Sequence, residues 1–291
     1  MIKNIIKKLR LKFNIYPSII KFRDIKFPNV KKSTILKEIY ITDFYEYEVI
    51  RFFDYFKYKN FIDIGSNIGF FSLFIKKYKD WNILAFEPYS KSFKFAQQLM
   101  KINNLNYELR NEAISSREGV SKFYIPNSNK FSPFSGCASL IKPGHVMKKM
   151  YGNQNYDVTN VKTKSFNQLL HSFNNKETLM KIDIEGNEYN TFLSVKNLNR
   201  IKNVDLIIEI NLHDKNRYKL FDMFKKAGFK GYLMTNIGLV AEDRPLTLPK
   251  YDLLVDSKKH AHRPAWRNHF FTKKSNKLIT KKNNEIFSYN I

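Results

Sequence analysis

The chain has 291 residues, of which 43% are hydrophobic, enough to fill the core of one large domain with extensions. No stretch of about 18 uninterrupted apolar residues occurs, and charges interrupt the apolar N-terminus. We therefore predict neither a spanning helix nor a cleaved signal peptide, and we expect a cytoplasmic protein. The single cysteine, Cys137, excludes an internal disulfide and completes no zinc-binding pattern.

The net charge of +25 is concentrated at the two ends of the chain. Residues 1–32 carry ten Lys and Arg against one acid, and residues 258–291 carry nine against one, which leaves the residues between them only mildly basic. We therefore predict three parts: a basic N-terminal helical extension (1–58), a central domain (59–257) with an insertion (126–157), and a basic C-terminal tail (258–291).

Both basic ends allow more than one interpretation. In MIKNIIKKLRLKF, apolar residues recur at helical spacing among lysines, which is typical of a helix docked on its own domain or of one lying on an anionic membrane surface. KKHAHRPAWRNHFFTKK interleaves aromatic and basic residues, which suits stacking on nucleic acid or a lipid headgroup layer, although a frayed tail is the simpler interpretation. Peripheral contact at the inner membrane surface therefore stays open.

Between the ends, buried-strand patterns alternate with helical ones. In chain order, the patterns predict strands in KNFIDIG, NILAFEP, YELRNEAIS, TLMKIDIEG and VDLIIEIN, and helices in FFSLFIKKY, SKSFKFAQQLMKINN, NEYNTFLSVKNLNRI and DKNRYKLFDMFKKAG. Two short strands, VSKFYI and VTNVKTK, flank the irregular insertion, and FKGYLMT and YDLLVDS are expected to close the domain. This alternation predicts an α/β fold, a mostly parallel sheet with helices on both faces, whose ligands bind at the carboxyl ends of the strands.

The first strand of this sheet ends in DIGSNIG, where Gly65 and Gly69 permit a tight turn and a close backbone approach. The free N–H groups of the following helix can bind an anion. A dinucleotide fingerprint has a glycine where Asn67 stands, and no G-K-[ST] sequence makes a phosphate loop, so the turn favours a smaller anion such as an amino-acid carboxylate. At the end of the next strand, Glu87 can accept hydrogen bonds from both hydroxyls of a ribose, which indicates a nucleoside cofactor.

Acidic residues crowd the ends of two later strands. KIDIEGNEY and IIEINLHD bring together Asp183, Glu185, Glu188, Glu209, Asn211 and His213. Carboxylates this close repel one another unless a cation, a basic substrate or altered protonation relieves them. Helix starts explain some of the acids, because negative charge is favoured there, but Asp183 lies within an apolar run.

These segments resemble a known family. FIDIGSNIGFFSLF, LAFEP, NEAIS, VKTKSFNQLL and MKIDIEGNEY, within residues 61–210, look like the FkbM family of S-adenosylmethionine-dependent methyltransferases. The resemblance implies a Rossmann-like class I methyltransferase sheet of seven strands, the last inserted antiparallel. Family members mostly methylate hydroxyls, so it also implies an O-methyltransferase acting on a sugar of a glycan, of a capsule or lipopolysaccharide precursor, or of a glycolipid.

The same resemblance assigns residues to the cofactor, S-adenosylmethionine. The expected contacts are Asp63, Gly65, Ser66, Asn67 and Gly69 at the methionine end, Glu87 at the ribose, Glu112 and Ala113 near the adenine, and Asp183 near the amino group or the transferred methyl. A carboxylate at Asp183 would help to offset the ammonium and sulfonium charges.

Methylation of a hydroxyl also requires a general base. His213 is a candidate because imidazole titrates at about pH 6.5, with Asp183 or Glu185 as alternatives, and His213 is equally well explained as an ordinary loop histidine. A further alternative is Mg²⁺ held by Asp183, Glu209 and Asn211, since adjacent strand ends supply oxygen ligands, although the motifs do not require a metal.

Two other functions stay open. An RNA ribose methyltransferase would use the basic ends to hold a phosphate backbone, although the central domain is nearly balanced in charge and has no N-P-P-Y tetrapeptide or Pro-Cys nucleophile. A membrane-surface binding module that has lost catalysis would not need the glycines and acids that the chain retains. Besides the hydroxyl-bearing acceptor, an anionic membrane or glycan is the expected partner of the basic ends, ahead of nucleic acid.

Overall fold

The computed structural model describes residues 13, 15–42, 45–127, 137–142, 155–211, 214–235, 238–242, 266–275 and 278–279. The strands, numbered in chain order, are β1 (Ile19–Phe22), β2 (Ile25–Pro28), β3 (Asn60–Ile64), β4 (Asn82–Phe86), β5 (Glu108–Arg110), β6 (Ala113–Ser115), β7 (Gly119–Asn127), β8 (Asn155–Ser165), β9 (Thr178–Ile182), β10 (Val204–Asn211), β11 (Lys230–Thr235), β12 (Gly238–Ala241) and β13 (Trp266–Thr272). The helices are α1 (Thr34–Thr42), α2 (Tyr47–Tyr55), α3 (Phe70–Tyr78), α4 (Ser90–Ile102), α5 (Phe166–Ser172), α6 (Glu188–Leu193) and α7 (Arg217–Lys226). Within these ranges, no helix has the length and hydropathy needed to cross a membrane.

The central sheet has the strand order β12-β11-β13-β10-β9-β3-β4-β5. From β5 to β10 the neighbouring strands pair in parallel, whereas β13 is antiparallel to both of its neighbours, β10 and β11. The chain order reverses between β3 and β9, which opens a crevice at the carboxyl ends of these strands. The predicted class I methyltransferase sheet, with its antiparallel last strand, is confirmed, and β12 adds an eighth strand at one edge.

The sheet is buried on both faces, as predicted. Successive side chains of a strand point to opposite faces, so Phe61 and Leu179 pack in the core formed with α2, α3 and α4, while Ile62 and Met180 pack in the core formed with α5, α6 and α7. Burial on both faces explains why these strands read as continuous apolar runs rather than as alternating ones.

The closing strand differs from the prediction. β13 lies inside the sheet, with Phe270 and Phe271 buried in the cores on its two faces, so a frayed tail is wrong for residues 266–275. The segment YDLLVDS, at 251–257, lies outside the described residues. The sequence WRNHFFT did not read as a strand because it contains polar residues. Two of them, Asn268 and His269, are buried beside partners from elsewhere in the chain.

The N-terminal segment from residue 15 to residue 58 packs onto the domain and contains the predicted helical structure. β1 and β2 form an antiparallel hairpin that the sequence analysis does not predict, and Ile25, Phe27 and Phe53 are fully buried in the core that covers α3. The amphipathic helix predicted in the first 13 residues lies outside the described residues, apart from Phe13.

A second, three-stranded sheet has the order β6-β8-β7. Its long strands β7 and β8 take up both ends of the predicted insertion at 126–157. Inside the insertion, Ser139 forms a bridge with Tyr124 of β7, and its Oγ donates a hydrogen bond to the carbonyl oxygen of Ile184 at 3.1 Å. The described part of the insertion therefore connects the small sheet to the loop that follows β9.

Candidate functional site

The turn after β3 packs directly against the end of β9. The N–H groups of Gly65 and Ser66 donate to the carbonyl oxygen of Phe86 at 3.0 and 2.9 Å, which ties the turn to β4. Gly65 has φ 79°, and a Cβ added there would lie 1.8 Å from the carbonyl oxygen of Asp183. Only glycine permits so close an approach, so the close backbone contact predicted for this turn has a steric cause.

The rest of the turn contains two buried polar atoms without partners in the described part of the chain. Asn67 and Gly69 have left-handed backbone conformations, and a Cβ at Gly69 would lie 2.4 Å from the hydroxyl of Tyr107. Ser66 Oγ and Asn67 Oδ1 are buried and have no hydrogen-bond partner among the described residues. Buried polar atoms of native proteins are nearly always hydrogen-bonded, so these two atoms are suited to a ligand.

Glu87 occupies the end of β4 with its carboxylate turned toward the same turn. Its oxygens accept hydrogen bonds from the N–H groups of Asn67 and Tyr89, each at 2.7 Å, and Asn111 donates to the carbonyl oxygens of Glu87 and Pro88. Burial raises the pKa of Glu87 to about 7, although the two N–H groups oppose the rise. Each oxygen can accept a further hydrogen bond, as the predicted ribose contact requires.

Asp63 is more deeply placed than the other predicted cofactor residues. Asp63 is 2% exposed, and its carboxylate accepts a hydrogen bond from Ser72 Oγ on α3 at 2.6 Å. Burial raises the pKa of Asp63 to about 6, against the attraction of Lys181, its neighbour in the register of β3 and β9. Asp63 therefore connects the sheet to α3 and adds negative charge close to the turn.

The predicted adenine contacts lie next to an apolar cluster. Ala113 begins β6 and is buried with Phe123 and Val161, and Tyr89 packs against the same group. Glu112, the preceding residue, has a buried carboxylate oxygen with no hydrogen-bond partner in the described part of the chain. An apolar surface beside a free acceptor suits a purine that carries an amino group.

The turn after β9 is shaped by Glu188. Glu185 and Gly186 have left-handed conformations, with φ 54° and 93°, and the Glu188 carboxylate accepts hydrogen bonds from the N–H groups of Ile184 and Gly186, each at 3.2 Å. Burial raises the pKa of Glu188 to about 7. Glu188 thus supports the loop that carries Asp183, while Glu185, a predicted alternative base, is half-buried within that loop.

Three carboxylates surround one ammonium where β9 and β10 end. Carboxylate oxygens of Glu46, Asp183 and Glu209 lie within 4.8 Å of one another. Lys181 Nζ lies 3.1 Å from Asp183 Oδ2 and 3.7 Å from Glu46 Oε2, and Asn268 donates to Glu46 at 3.1 Å. Burial opposes the charge on Lys181, but the attraction of Asp183, followed by Glu46 and Glu209, raises its pKa above the ordinary value. This cluster is called the charged cluster below.

The charged cluster does not support the predicted Mg²⁺ alternative. The third carboxylate beside Asp183 and Glu209 comes from Glu46, which is not among the predicted ligands. The ammonium of Lys181 already supplies the positive charge that brings these acids together, so the arrangement needs no metal ion to explain it.

Among the predicted bases, Asp183 has the geometry of a site residue. Its N–H donates to the carbonyl oxygen of Ile64 at 2.9 Å, and its side chain is 17% exposed, whereas those of Lys181 and Glu46 are only 3% and 4% exposed. Asp183 is therefore the member of the charged cluster that a ligand can reach. His213 lies outside the described residues.

Sequence reasoning missed the other side of this cluster. Lys181 had a signal, because a lysine inside the buried strand LMKI needs a counter-charge. Glu46 and Asn268 had none, since Glu46 precedes α2 and Asn268 lies in β13, far from it along the chain.

The family comparison gives a match over the region that contains most of this site. A model described as the methyltransferase FkbM domain matches residues 63–230, more than half of the chain. A relative named methyltransferase 1, from Beauveria bassiana, is 28% identical over 137 residues, which cover 44% of this chain and 54% of the relative. The match thus spans about half the length of that relative.

Solved structures match at low scores. A precorrin-6y C5,15-methyltransferase from Geobacter metallireducens has a TM-score of 0.39 and 9% identity over 79% of this chain and 88% of its own. A tRNA (uracil-54, C5)-methyltransferase from Pyrococcus abyssi, in complex with S-adenosyl-L-homocysteine, has a TM-score of 0.35 and 14% identity over 67% of this chain and 34% of its own. The class of the fold follows from the strand order and not from these scores.

Proposed function

The chain belongs to the methyltransferase FkbM domain family, and from this membership we propose that it is an S-adenosylmethionine-dependent methyltransferase that acts on a hydroxyl group. We propose a sugar of a glycan, of a capsule or lipopolysaccharide precursor, or of a glycolipid as the acceptor.

The observation that carries the cofactor assignment is the set of unsatisfied polar atoms around the turn after β3. Ser66 Oγ and Asn67 Oδ1 lie in the turn, Glu112 Oε2 lies beside the apolar cluster, and all three are buried without a partner among the described residues. With the carboxylate of Glu87 they supply polar contacts for an amino-acid end, a ribose and an amino-purine. These are the three chemical parts of S-adenosylmethionine.

S-adenosylmethionine supplies an activated methyl group on a sulfonium when it is bound. The protein then has to hold the acceptor in line and keep water out, because a displacement at carbon depends mainly on alignment. The segment around Ser139 is attached to the loop after β9, and we propose that it lines the acceptor site.

The acidic character of the site supports an oxygen acceptor. A hydroxyl loses its proton on methylation, and Asp183 is the carboxylate of the charged cluster with exposed surface, so we assign it the task of accepting that proton. His213 and Glu185 remain alternatives to be separated by substitution.

The cofactor assignment is tested by calorimetric titration with S-adenosylhomocysteine. We expect saturable binding to the wild type, at least tenfold weaker binding to Glu87→Ala, and unchanged binding to Glu108→Ala, whose side chain is exposed on the neighbouring β5. Absence of binding to a folded wild type would refute the proposed function.

The acceptor is tested by transfer of a labelled methyl group. Glycolipid and polysaccharide fractions and total RNA are compared as acceptors, with Asp183→Asn as the inactive control, and the labelled atom is identified by NMR. Labelling of a sugar hydroxyl in the glycan fractions is expected. Labelling of RNA ribose alone would replace the proposed acceptor with the RNA alternative.

We also propose that the basic N-terminal segment contacts an anionic membrane surface. Lys21 and Lys26 face each other across β1 and β2 and are exposed, an unfavourable like-charge pair that an anionic surface would relieve, and Ile19 beside them is 54% exposed. Salt-sensitive binding to phosphatidylserine vesicles is expected, and it should fall in Lys21→Gln/Lys26→Gln but not in Lys162→Gln/Lys164→Gln. Equal binding by both variants would discard the contact.

A further inference from the structure

Lys181 is the one member of the charged cluster that carries positive charge, and it has no role in the proposed function so far. It lies in β9, is 2% exposed, and its Nζ is 4.9 Å from the ring centroid of Phe71 on α3. A buried ammonium is costly unless opposite charges compensate it, so its position has to be explained by its partners.

Asp183 lies closer to the Lys181 ammonium than Glu46 does. The Nζ to Oδ2 distance of 3.1 Å is that of a charge-assisted hydrogen bond between a donor held inside the sheet and an acceptor in the loop beyond it. The two residues are separated by Ile182 alone, so the bond fixes the Asp183 carboxylate relative to the strand end. The side chain of Asp183 is 17% exposed, so the bond holds a partly exposed carboxylate at the strand end.

The second partner of Lys181 comes from outside the region that the family model matches. Glu46 precedes α2 with a left-handed backbone at φ 40°, and its Oε2 lies 3.7 Å from Lys181 Nζ. Asn268 of β13 donates to both Glu46 and Glu48 at 3.1 Å, which fixes the start of α2 over the sheet. The N-terminal segment thereby reaches the same ammonium that holds Asp183.

We propose that Lys181 is a positioning residue that orients Asp183 toward the bound cofactor and acceptor, and that Glu46 of the N-terminal segment fixes Lys181 in that position. The N-terminal segment then completes the active site and is not an appendage to it. The inference rests on the proposed function, because Asp183 matters only if the crevice binds the cofactor.

The opposing possibility is that Lys181 only neutralises charge in the core. Removing the ammonium leaves three carboxylates together, which destabilises the protein under either hypothesis. Removing the Glu46 carboxylate as well relieves part of that repulsion but does not restore the bond that orients Asp183. In the double variant, stability should therefore recover without ligand affinity only if Lys181 positions Asp183.

The experiment compares Lys181→Met, Glu46→Gln and the double variant by thermal unfolding and by calorimetric titration with S-adenosylhomocysteine. We expect Lys181→Met to lower the Tm and to weaken binding about tenfold or more. The double variant should recover at least half of the lost Tm while its binding stays weak. Glu46→Gln keeps the Lys181 ammonium and an acceptor oxygen at position 46, so this variant should fold even if Lys181→Met does not. We expect it to weaken binding about two- to threefold.

A matched control is Lys274→Met, because Lys274 Nζ lies 2.7 Å from the buried carboxylate of Asp205 at the opposite end of β10. It should lower the Tm and leave binding unchanged. Binding that recovers together with the Tm in the double variant, or wild-type affinity in both single variants, would overturn the positioning role. If the folded wild type fails to bind, the proposed function falls, and this inference falls with it.

Discussion

The Cα of Gly65 faces the carbonyl oxygen of Asp183 so closely that an added Cβ would lie 1.8 Å from it. The proposed cofactor turn and the loop that carries the proposed base are therefore in backbone contact, across the point where the strand order reverses. A side chain at position 65 would have to displace the main chain at Asp183, because the atom in the way is a backbone oxygen.

This contact predicts a large effect of Gly65→Ala. We expect a loss of about 3 kcal/mol in the free energy of unfolding, together with loss of S-adenosylhomocysteine binding, since the clash adds to left-handed strain. Gly228→Ala is the matched control, because Gly228 also has a left-handed backbone but an added Cβ meets no atom within 4 Å. It should cost about 1–2 kcal/mol and leave binding intact. Equal costs in urea unfolding would contradict the contact.

The pKa of Glu87, raised by burial to about 7, predicts that cofactor affinity depends on pH. In the proposed complex the ionised carboxylate accepts two ribose hydrogen bonds, whereas the protonated acid gives up one acceptor site. Because the proton is lost as the pH rises through 7, S-adenosylhomocysteine should bind about tenfold more weakly at pH 6 than at pH 8. Calorimetry at both pH values checks this, and Glu87→Gln, which cannot ionise, should lose the dependence. A pH-dependent Gln variant would assign the effect to another group.

Glu188 predicts a pH dependence of stability with a definite sign. Burial raises its pKa from 4.5 to about 7 in the folded protein, so between these values the folded state binds more protons than the unfolded state. Its contribution is favourable at low pH and is lost as the pH rises through 7. Relative to the wild type, Glu188→Gln should therefore gain on the order of 3 kcal/mol between pH 5 and pH 8.

Urea unfolding of both proteins at the two pH values measures this difference. Glu108→Gln, an exposed control, should stay parallel to the wild type. If Glu188→Gln stayed parallel as well, the Glu188 carboxyl would not be the buried group that the structure describes.

The parts of the site that were predicted from sequence are local in the chain. DIGSNIG joins a buried strand to a glycine turn within seven residues, and AFEP ends the next strand with an acid, so periodicity and turn chemistry were sufficient. The parallel sheet then placed both strand ends at one edge, because strands of the same direction share their carboxyl ends.

The parts that were missed depend on contacts between distant segments. The contact of Glu46 with Lys181 joins residues 135 positions apart, and no local pattern announces it. β13 was hidden for a related reason, since its polar residues Asn268 and His269 are buried in the sheet beside the distant partners Glu46 and Glu242. The hairpin of β1 and β2 had a readable signal in the alternation of IIKFRDIKF, which the basic composition of the segment obscured.

At Gly69, the second glycine of the turn, we predict that a second substitution can restore part of the stability lost in an alanine variant, which is not possible at Gly65. A Cβ at Gly69 would lie 2.4 Å from the hydroxyl oxygen of Tyr107 and 3.7 Å from the ring carbon that carries it. Gly69→Ala should therefore cost about 3 kcal/mol, and Tyr107→Phe should restore part of this loss by removing the obstructing atom. About 1–2 kcal/mol of strain should remain, because φ is 74° in either background.

A double-mutant cycle in urea measures the coupling between these two sites. We expect Gly69→Ala to be less destabilising in the Tyr107→Phe background by about 1 kcal/mol or more. Gly65→Ala serves as the internal control, because its obstruction is the backbone of Asp183 and Tyr107→Phe cannot relieve it. Additive costs for Gly69→Ala and Tyr107→Phe would place the tyrosine hydroxyl away from the turn. An equal rescue of Gly65→Ala would show that Tyr107→Phe acts on the stability of the whole domain.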